Sequence, residues 1–572
     1  MNGKKILRID LKTMGYRLDS IQDRYLNLGG RGLSSNIIAD EVPPECDPLG
    51  DANKLVIAAG ILAGTPIPNS GRLSIGAKSP LTHTIKEANA GGTAAQKLSR
   101  IGIQAIVLEG AASEQMVIKI TRDGVSFVKS GALASSMVSD CIANLRAEYG
   151  DSAGIICIGP AGEMKLSASA IAVTSPDFYP RVAARGGLGA VMGAKNIKAI
   201  VIDDNNGEAT QIKDKELFKK SLKNFTSGLL SHPLAQGFKL FGTPVLVGLV
   251  NEIGAMPTKN YSKGRFEGAE KISGERIAEI INSRPNGETS HRCMNGCVFS
   301  CSNIYTDEKG EFIVSGLEYE TLALMGSNCC IDDIDVIARM NRACNEIGVD
   351  TMDVGAAIAV AMEAGILKWG DGAAALKLVE EISSGTERGR MIGSGCKYTG
   401  EILGINRIPH VKGQALSGYD PRCLKGTGVT YATSPMGADH TCGNALPSPA
   451  NPSYNPSSAT GQAPVSGFLQ AYFAAIDTLG LCLFASLPAL DMPDVKKLLI
   501  ECISAVLDEP LNDDYLERLG QMVLKTEKKF NNAVGFKRSD DRLPEFFISE
   551  MLPEIQQRFD VSEEELDSVN AL

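Results

Sequence analysis

Three cysteines recur at every fourth position in His291-Arg-Cys293-Met-Asn-Gly-Cys297-Val-Phe-Ser-Cys301. Soft thiolates this close together suit an iron-sulfur cluster, whose fourth ligand can come from far along the chain. Residues four apart also align on one helical face, so a stripe of buried cysteines would show the same spacing. Gly296 and the polar Arg292, Asn295, Ser300, Ser302 and Asn303 make a poor apolar helix, which favours ligation. A structural zinc site of the three thiols with His291 has suitable ligand types as well. A radical enzyme using adenosylmethionine spaces its cluster cysteines by three and then two residues, whereas both gaps here are three.

A distant thiol, Cys482, ends the run Asp477-Thr-Leu-Gly-Leu-Cys482, and Asn345-Glu-Ile-Gly-Val-Asp350 repeats that pattern. Glycine-rich runs precede them: Leu28-Gly-Gly-Arg-Gly-Leu33, Gly71-Arg-Leu-Ser-Ile-Gly76, Ala88-Asn-Ala-Gly-Gly92, and the segment from Arg181 to Lys195. Together these runs resemble the aldehyde ferredoxin oxidoreductase family, in which the paired motifs hold the two pterins of one tungsten or molybdenum centre. The resemblance covers most of the chain, to about residue 490. It implies a [4Fe-4S] cluster on Cys293, Cys297, Cys301 and Cys482. It also implies a tungsten or molybdenum bis-pterin held by Arg72, Asn89, Ala90, Gly91, Ala183, Arg185, Asn345, Gly348, Asp350, Asp477, Leu481 and Cys482. The backbone carbonyls of Asn89 and Ala183 are implied to hold a magnesium ion between the pterin phosphates, a hard cation that takes oxygen ligands. Glycines let backbone N–H groups approach phosphate and arginine adds forked hydrogen bonds, tasks for which Arg72 and Arg185 stand out. Two departures accompany the match. The family's more familiar cluster spacing is two then three residues, and its first pterin motif often begins with Asp where a neutral amide, Asn345, stands here. Glu288-Thr-Ser-His291 has the Glu-x-x-His form of the family's intersubunit iron site, but it abuts the cysteines and reads as chance.

The segment Tyr431-Ala-Thr-Ser-Pro-Met-Gly-Ala-Asp-His440 resembles the family's stretch with the active-site histidine, and Gly316-Leu-Glu318-Tyr-Glu320-Thr321 its glutamate region. Glu318 and Glu320 would point the same way from an extended segment and diverge from a helix. In an apolar pocket either could have a raised pKa and act as a general base while His440 hydrogen-bonds a carbonyl oxygen. The resemblance implies oxidation of a small aldehyde to the carboxylic acid. Its electrons would leave through the cluster to ferredoxin or a ferredoxin-like subunit, in an oligomer. The alternatives are the same scaffold reducing an acid or an aromatic thioester, a cluster-only electron-transfer subunit, and a zinc-stabilised binding module.

The elements that must gather these residues read as follows. At 572 residues the chain is too long for one core and calls for two to four packed units. Short β-type runs broken by Gly and Pro extend from Lys4 to about Asp204, among them 54–59, 105–109, 117–121, 155–158 and 198–202. Helical periodicity follows over 213–229, 334–364, 373–383 and 495–507. The expected fold class is α+β: a strand-rich pterin-binding domain over 1–206, then two mainly helical domains over 207–405 and 406–572, with the cofactor at their interface. The loop 445–464, rich in Pro, Ser and Asn, is long enough to cover a site, and the acidic run 563–567 reads as a solvated helix face. A net charge of −10 argues against nucleic acid as a partner. The start of the chain lacks an apolar signal core and no apolar run reaches membrane-spanning length, so a cytoplasmic protein with no membrane span is expected. In that compartment the 14 cysteines should be free thiols or ligands rather than disulfides.

Overall fold

Strands whose interior positions are apolar on both faces must be covered on both sides, and the first two hundred residues do this by stacking two sheets. The computed structural model describes residues 4–448 and 452–569. The first sheet holds β1 (Lys5–Asp10), β2 (Gly15–Ser20), β3 (Leu55–Ala59), β4 (Leu73–Lys78), β5 (Ile85–Ala90) and β6 (Ile103–Glu109), in the order β2-β1-β6-β3-β4-β5. The second holds β7 (Met116–Ile120), β8 (Val125–Lys129), β9 (Gly154–Cys157), β10 (Ile171–Thr174), β11 (Pro180–Ala183) and β12 (Ile197–Ile202), in the order β11-β10-β9-β12-β7-β8. Only β1 with β6 and β7 with β12 run parallel.

Alternation along each strand sorts the side chains into layers. Leu7, Ile9, Ile57, Leu73 and Ile106 meet Ile118, Ile156, Val173 and Ile200 between the sheets. Ile6, Val56, Ala58 and Val107 turn the other way, onto the helices Gly30–Glu41 and Gln462–Leu479. On the far side Val117, Ile155, Cys157 and Val201 pack on the helix Val138–Tyr149. The strand-rich first part and the helical remainder are therefore as expected, in a mixed α and β architecture.

The periodic stretch 334–364 is two helices rather than one. Ile334–Ile347 stops at Gly348, whose φ is 77°, and Thr351–Glu363 starts at Asp350, which caps it by accepting the N–H groups of Met352 and Asp353 at 3.0 and 3.2 Å. The helix Gln462–Leu479 ends in the same way at Gly480, with φ 72°, and Cys482 stands at the N-cap of Leu483–Asp491. Both motifs thus share a helix, a left-handed glycine, one connecting residue and the N-cap of the next helix, and only Asp350 caps through its side chain.

The cysteine segment belongs to neither kind of helix. It forms turns between β13 (Glu288–His291) and β14 (Ser302–Thr306), which with β15 (Phe312–Ser315) make a three-stranded sheet inside the otherwise helical middle region. A helical cysteine stripe is thereby excluded. The acidic run 563–567 is more than a solvated face: Glu565 accepts the N–H groups of Gln462 and Ala463 at the start of a core helix, and Asp567 accepts from Arg542 at 3.0 Å. Of the loop 445–464, residues 449–451 lie outside the described residues. The rest is pinned by Tyr454, whose hydroxyl donates to Gln462 at 2.9 Å, and by the Pro456 carbonyl, which accepts from Lys425 at 2.8 Å. Among the described residues no single helix is long and apolar enough to cross a membrane, and all 14 cysteines are free thiols.

Candidate active site

Two of the four cysteines, Cys297 and Cys482, meet at one asparagine that the sequence did not single out. Asn69, in the left-handed region at φ 60°, donates from Nδ2 to Cys297 Sγ at 3.4 Å and accepts the Val298 N–H at 3.0 Å. Its backbone N–H donates to the Gly296 carbonyl at 3.1 Å, and its carbonyl accepts the Cys482 N–H at 2.8 Å. Asn69 therefore ties the 293–301 turns to the distant fourth thiol. Cys293 hydrogen-bonds Cys297, and that bond, with the N–H groups of Ser300, Phe299 and Asn69, lowers the Cys297 thiol pKa against the effect of burial. Burial pushes the Cys301 and Cys482 thiols up, and each also feels the charge of the neighbouring thiols. Among the described residues no three His, Cys, Asp or Glu side chains have converged at metal-ligand spacing, so the thiols are neighbours rather than a closed cage. His291 is not free to join them as a zinc ligand. Its Nδ1 accepts from Arg181 at 3.2 Å, which leaves the hydrogen on Nε2, 3.1 Å from Asp177 Oδ2.

Two buried charge clusters stand at the motifs, one at each. At the second motif Asp477 Oδ2 lies 3.3 Å from Arg31, whose fork also donates to Glu527 at 2.9 and 2.8 Å. Asp477 Oδ1 accepts from Asn89 at 3.1 Å, and Arg72 clasps Asn89, reaching its carbonyl at 3.0 Å. The Asn89 carbonyl expected to face magnesium thus accepts a guanidinium here. At the first motif Arg185 is wholly enclosed. It reaches Asp350 at 3.3 Å, Asp353 and Asp439 at 3.7 Å, and the carbonyls of Ala415 and Ala438. Arg185 is therefore a hub for carboxylates rather than an open phosphate hook.

Burial raises the carboxyls of Glu87, Asp353 and Asp477 above the ordinary range. Burial would raise Asp439 too, but Arg185 and Lys86 outweigh it and hold that carboxyl well below. Glu87 Oε1, Asp353 Oδ2 and Gln414 Oε1 are buried acceptors without a donor, an unfavourable state that a hydrogen-donating ligand would relieve.

The remaining positions expected at the cofactor divide. Ala90 and Ala183 end β5 and β11 and are buried, Leu481 is fully buried, and a Cβ on Gly91 would stand 3.1 Å from Cys293 Sγ, so this strand end abuts the cysteine segment. Asn345 lies apart from them, lining an outer cavity of about 610 Å³ with Asp177, Tyr179, Phe312, Arg342 and Glu346. The first glycine run packs closely on the second motif: Cβ atoms at Gly30 and Gly32 would strike the Asp477 carbonyl at 2.2 Å and the Thr478 side chain at 2.8 Å, and the Gly32 N–H donates to Thr478 Oγ1 at 3.0 Å. Those glycines let a helix press against the second motif. Arg31, Lys86, Glu87 and Asp353 went unassigned; β5 offers a signal, since Lys86 and Glu87 interrupt a strand with no exposed face.

The two candidate glutamates diverge. Glu318 precedes a short helix, Tyr319–Thr321, and its carboxylate accepts from the Thr243 hydroxyl toward the cysteines. Glu320 points the other way: Oε2 accepts the Gly418 N–H at 2.7 Å, and Oε1 lies 3.3 Å from His440 Nε2. That approach is not aligned as a hydrogen bond, so Oε1 keeps a free lone pair. Burial raises the Glu320 carboxyl, opposed by His440, the Gly418 N–H and Arg185. Ser417 Oγ receives the His440 backbone N–H at 3.3 Å and Arg185 at 3.4 Å, so its own hydrogen goes to His440 Nδ1 at 3.0 Å and the ring hydrogen rests on Nε2. The result is a half-buried base and an N–H donor side by side, backed by Arg185 and Asp439.

Known proteins match nearly the whole chain. Residues 6–204 match the family model described as the N-terminal domain of aldehyde ferredoxin oxidoreductase, and residues 220–569 match that of its domains 2 and 3. The tungsten-containing aldehyde ferredoxin oxidoreductase of Pyrococcus furiosus is 32% identical over 580 residues, covering 97% of this chain and 92% of that protein. The enzyme of that name from Thermococcus kodakarensis is 32% identical over 583 residues, with the same coverage. A WOR-like subunit of aliphatic sulfonate oxidoreductase from P. furiosus is 28% identical over 78% of this chain and 76% of its own. Among solved structures, the active site complex BamBC of benzoyl coenzyme A reductase with 1,5 dienoyl-CoA superposes with a TM-score of 0.82 at 19% identity, over 100% of this chain and 94% of that one.

Proposed function

The chain belongs to the aldehyde ferredoxin oxidoreductase family and is an oxidoreductase, and from that premise we propose that it oxidises an aldehyde to a carboxylic acid. The observation that carries this reading is the Glu320–His440 pair, an open carboxylate oxygen and a ring N–H 3.3 Å apart beside the buried charges of both motifs. Aldehyde and water give acid, two protons and two electrons. Glu320 Oε1 takes a proton from the water or the aldehyde hydrate, and its raised pKa makes it a stronger base than a solvated carboxylate. His440 Nε2–H donates to the aldehyde oxygen as negative charge grows there. Arg185 and Ser417 hold the histidine in the tautomer this needs.

The residues fit a bis-pterin centre by donor chemistry. Buried acceptors on Asp353, Glu87 and Gln414 await N–H donors such as a pterin ring offers, and Arg72, with the strand end Asn89–Gly91, is suited to a phosphate. In the holoenzyme the Asn89 and Ala183 carbonyls would turn to magnesium, while Cys293, Cys297, Cys301 and Cys482 would hold a [4Fe-4S] cluster. A tungsten or molybdenum pterin held there would supply two-electron redox chemistry, and a cluster on the four cysteines would supply a one-electron outlet to ferredoxin or a ferredoxin-like subunit.

Elemental analysis of protein purified without oxygen, coupled to aldehyde-dependent dye reduction, tests the reading. About four irons and one tungsten or molybdenum per chain, with turnover of aldehydes, is the expected result. Iron with neither heavy metal would make the protein an electron carrier. Zinc alone would overturn the centre altogether. Turnover of a sulfonate or an aromatic thioester in place of aldehydes would keep the centre and replace the substrate.

A further inference from the structure

Three consecutive residues with side chains, Lys259, Asn260 and Tyr261, lie in the left-handed region at φ 51°, 50° and 58°. That conformation crowds Cβ against the following carbonyl, and it normally occurs as single residues. A run of three survives only where its surroundings over-determine it, and such strain clusters at functional sites. Here the N–H groups of Lys259, Asn260 and Tyr261 donate in turn to the Ser327 carbonyl, the Asn328 carbonyl and Asn328 Oδ1, at 3.2, 3.0 and 3.1 Å. The buried Arg422 guanidinium donates to the Tyr261 carbonyl. What the turn delivers is a fully buried tyrosine whose hydroxyl donates to the Ser417 carbonyl at 2.6 Å. The peptide with this carbonyl on one edge has the Gly418 N–H on the other, and that N–H donates to Glu320 Oε2 at 2.7 Å. A trans peptide is planar, so its C=O and N–H turn as one body. Glycine has no side chain to resist the turn. The Tyr419 N–H also reaches the Ser417 carbonyl, at 2.7 Å, but it belongs to the same short segment. Tyr261 holds the plane from outside, as the hydroxyls of Tyr319 and Tyr431 hold the next two carbonyls, of Gly418 and Tyr419, at 2.5 and 3.3 Å.

We propose that Tyr261 is a positioning residue for the reaction: its hydroxyl locks the peptide between Ser417 and Gly418, and through that peptide fixes where the Glu320 carboxylate points. The inference rests on the reading of Glu320 as the base. Gripped at Oε2 by the Gly418 N–H, the carboxylate presents Oε1 beside His440 Nε2, 3.3 Å away. With the tyrosine hydroxyl gone the plane is free to rotate, and the carboxylate loses both its aim and a donor to its charged form. The groups facing Glu320 give the second loss a sign. Burial raises its carboxyl; His440, the Gly418 N–H and Arg185 lower it, and Asp439 raises it. The four tyrosines around it, Tyr261, Tyr319, Tyr419 and Tyr431, are pushed well above their usual range by burial and stay neutral. Loss of the N–H leaves burial less opposed, so the carboxyl takes up its proton at a higher pH.

The test is the pH profile of aldehyde-dependent dye reduction by the holoenzyme, wild type against Tyr261→Phe, with Glu320→Gln as the other side of a double-mutant cycle. Phenylalanine keeps the ring and deletes one hydroxyl, and the Ser417 carbonyl retains the Tyr419 N–H. Tyr261→Phe should move the acidic limb of kcat/KM up by roughly one pH unit. It should lower kcat on the order of tenfold at neutral pH with KM within about threefold of wild type. In the Glu320→Gln background the same substitution should change kcat by less than about threefold. A limb that stays in place, or a loss as large without the Glu320 carboxylate as with it, would make Tyr261 a packing residue and sink this inference while the proposed activity stands. Hydrogen exchange of the wild-type protein needs neither substrate nor variant: the Gly418 amide should exchange only with global unfolding. Exchange as fast as that of an exposed loop would overturn the inference even if the phenylalanine variant fails to fold. Wild-type holoenzyme inert towards aldehydes would remove the proposed activity and this inference together.

Discussion

Glu318 and Glu320 are two positions apart, and their fates are opposite because the chain passes from an extended residue into a helical turn between them. Spacing alone could not separate them: two residues along a strand is one face, and two along a helix is not. The structure pairs Glu320 with His440 and turns Glu318 to Thr243. Glu320→Gln should therefore cut kcat by about 10²–10⁴-fold, the usual worth of a positioned base, while Glu318→Gln stays within about tenfold; steady-state dye reduction at saturating aldehyde separates the two. The pH profile carries a sign. A base works ionised, and burial lifts the Glu320 pKa above its ordinary 4.5, so kcat/KM should rise with pH through that lifted value. The acidic limb should vanish in Glu320→Gln, and a limb that persisted unchanged would assign the base elsewhere. Histidine was legible from its motif, but its tautomer was not. That depends on Ser417, whose hydroxyl comes from a loop more than twenty residues away.

Helix ends were readable and buried charges were not. Gly348 and Asp350 stop one helix and start the next, as Gly480 stops another, and the apolar period alone ran over the first pair because it continues in phase on both sides. Charged residues, by contrast, are read as solvated by default, which hid Arg31, Lys86, Glu87, Asp353 and Glu527. Arg31 and Glu527 are 1% and 0% exposed, so Arg31→Met strands a buried carboxylate and should cost about 3–5 kcal/mol in denaturant unfolding. The raised carboxyls give the cofactor-free protein a pH dependence. Burial lifts Asp477 to about 6 from 3.8, Asp353 to about 7 from 3.8, and Glu87 to about 8 from 4.5. In each case the folded state holds its proton over a range where the unfolded chain has lost it, so stability falls as pH rises between roughly 4 and 8. Asp439, depressed by Arg185 and Lys86 against its burial, works the other way. Its contribution is present above 3.8 and is lost only as pH falls through its lower folded value. Midpoint denaturant concentration of the apo protein should thus decline from pH 5 to pH 8, and a rise across that interval would mean these carboxyls are ionised in the folded state.

At the scale of the whole molecule, the first domain's sheet and the second motif touch backbone to backbone, and that contact decides whether Cys482 can reach the other three cysteines. Gly60, after β3, faces Gly480: a Cβ on Gly60 would lie 2.3 Å from Gly480 Cα and 2.4 Å from the Leu479 carbonyl oxygen. Around this contact the Ile61 and Leu62 N–H groups donate to the Thr478 and Leu479 carbonyls at 3.2 and 3.0 Å, and Arg72 N–H donates to the Gly480 carbonyl at 3.1 Å. Gly30 and Gly32, from a run the sequence offered for phosphate, join Gly60 and Gly480 in letting segments more than four hundred residues apart close on each other. No local pattern could reveal this, because a glycine needed for a distant backbone looks the same as one needed for a ligand. Backbone cannot retreat as a flexible side chain can, so Gly60→Ala should cost about 3 kcal/mol or more. Because Asn69 O and the Gly60 contact hold the same turn, that variant should also lose iron from the purified holoenzyme. Gly237→Ala, in a helix with nothing within 4 Å of the added methyl, is the matched control: stability unchanged or raised by up to about 1 kcal/mol, with full metal content. If Gly60→Ala unfolds at a lower denaturant concentration yet keeps its iron, the thiols assemble without this contact, and the closure of the two segments serves the fold alone.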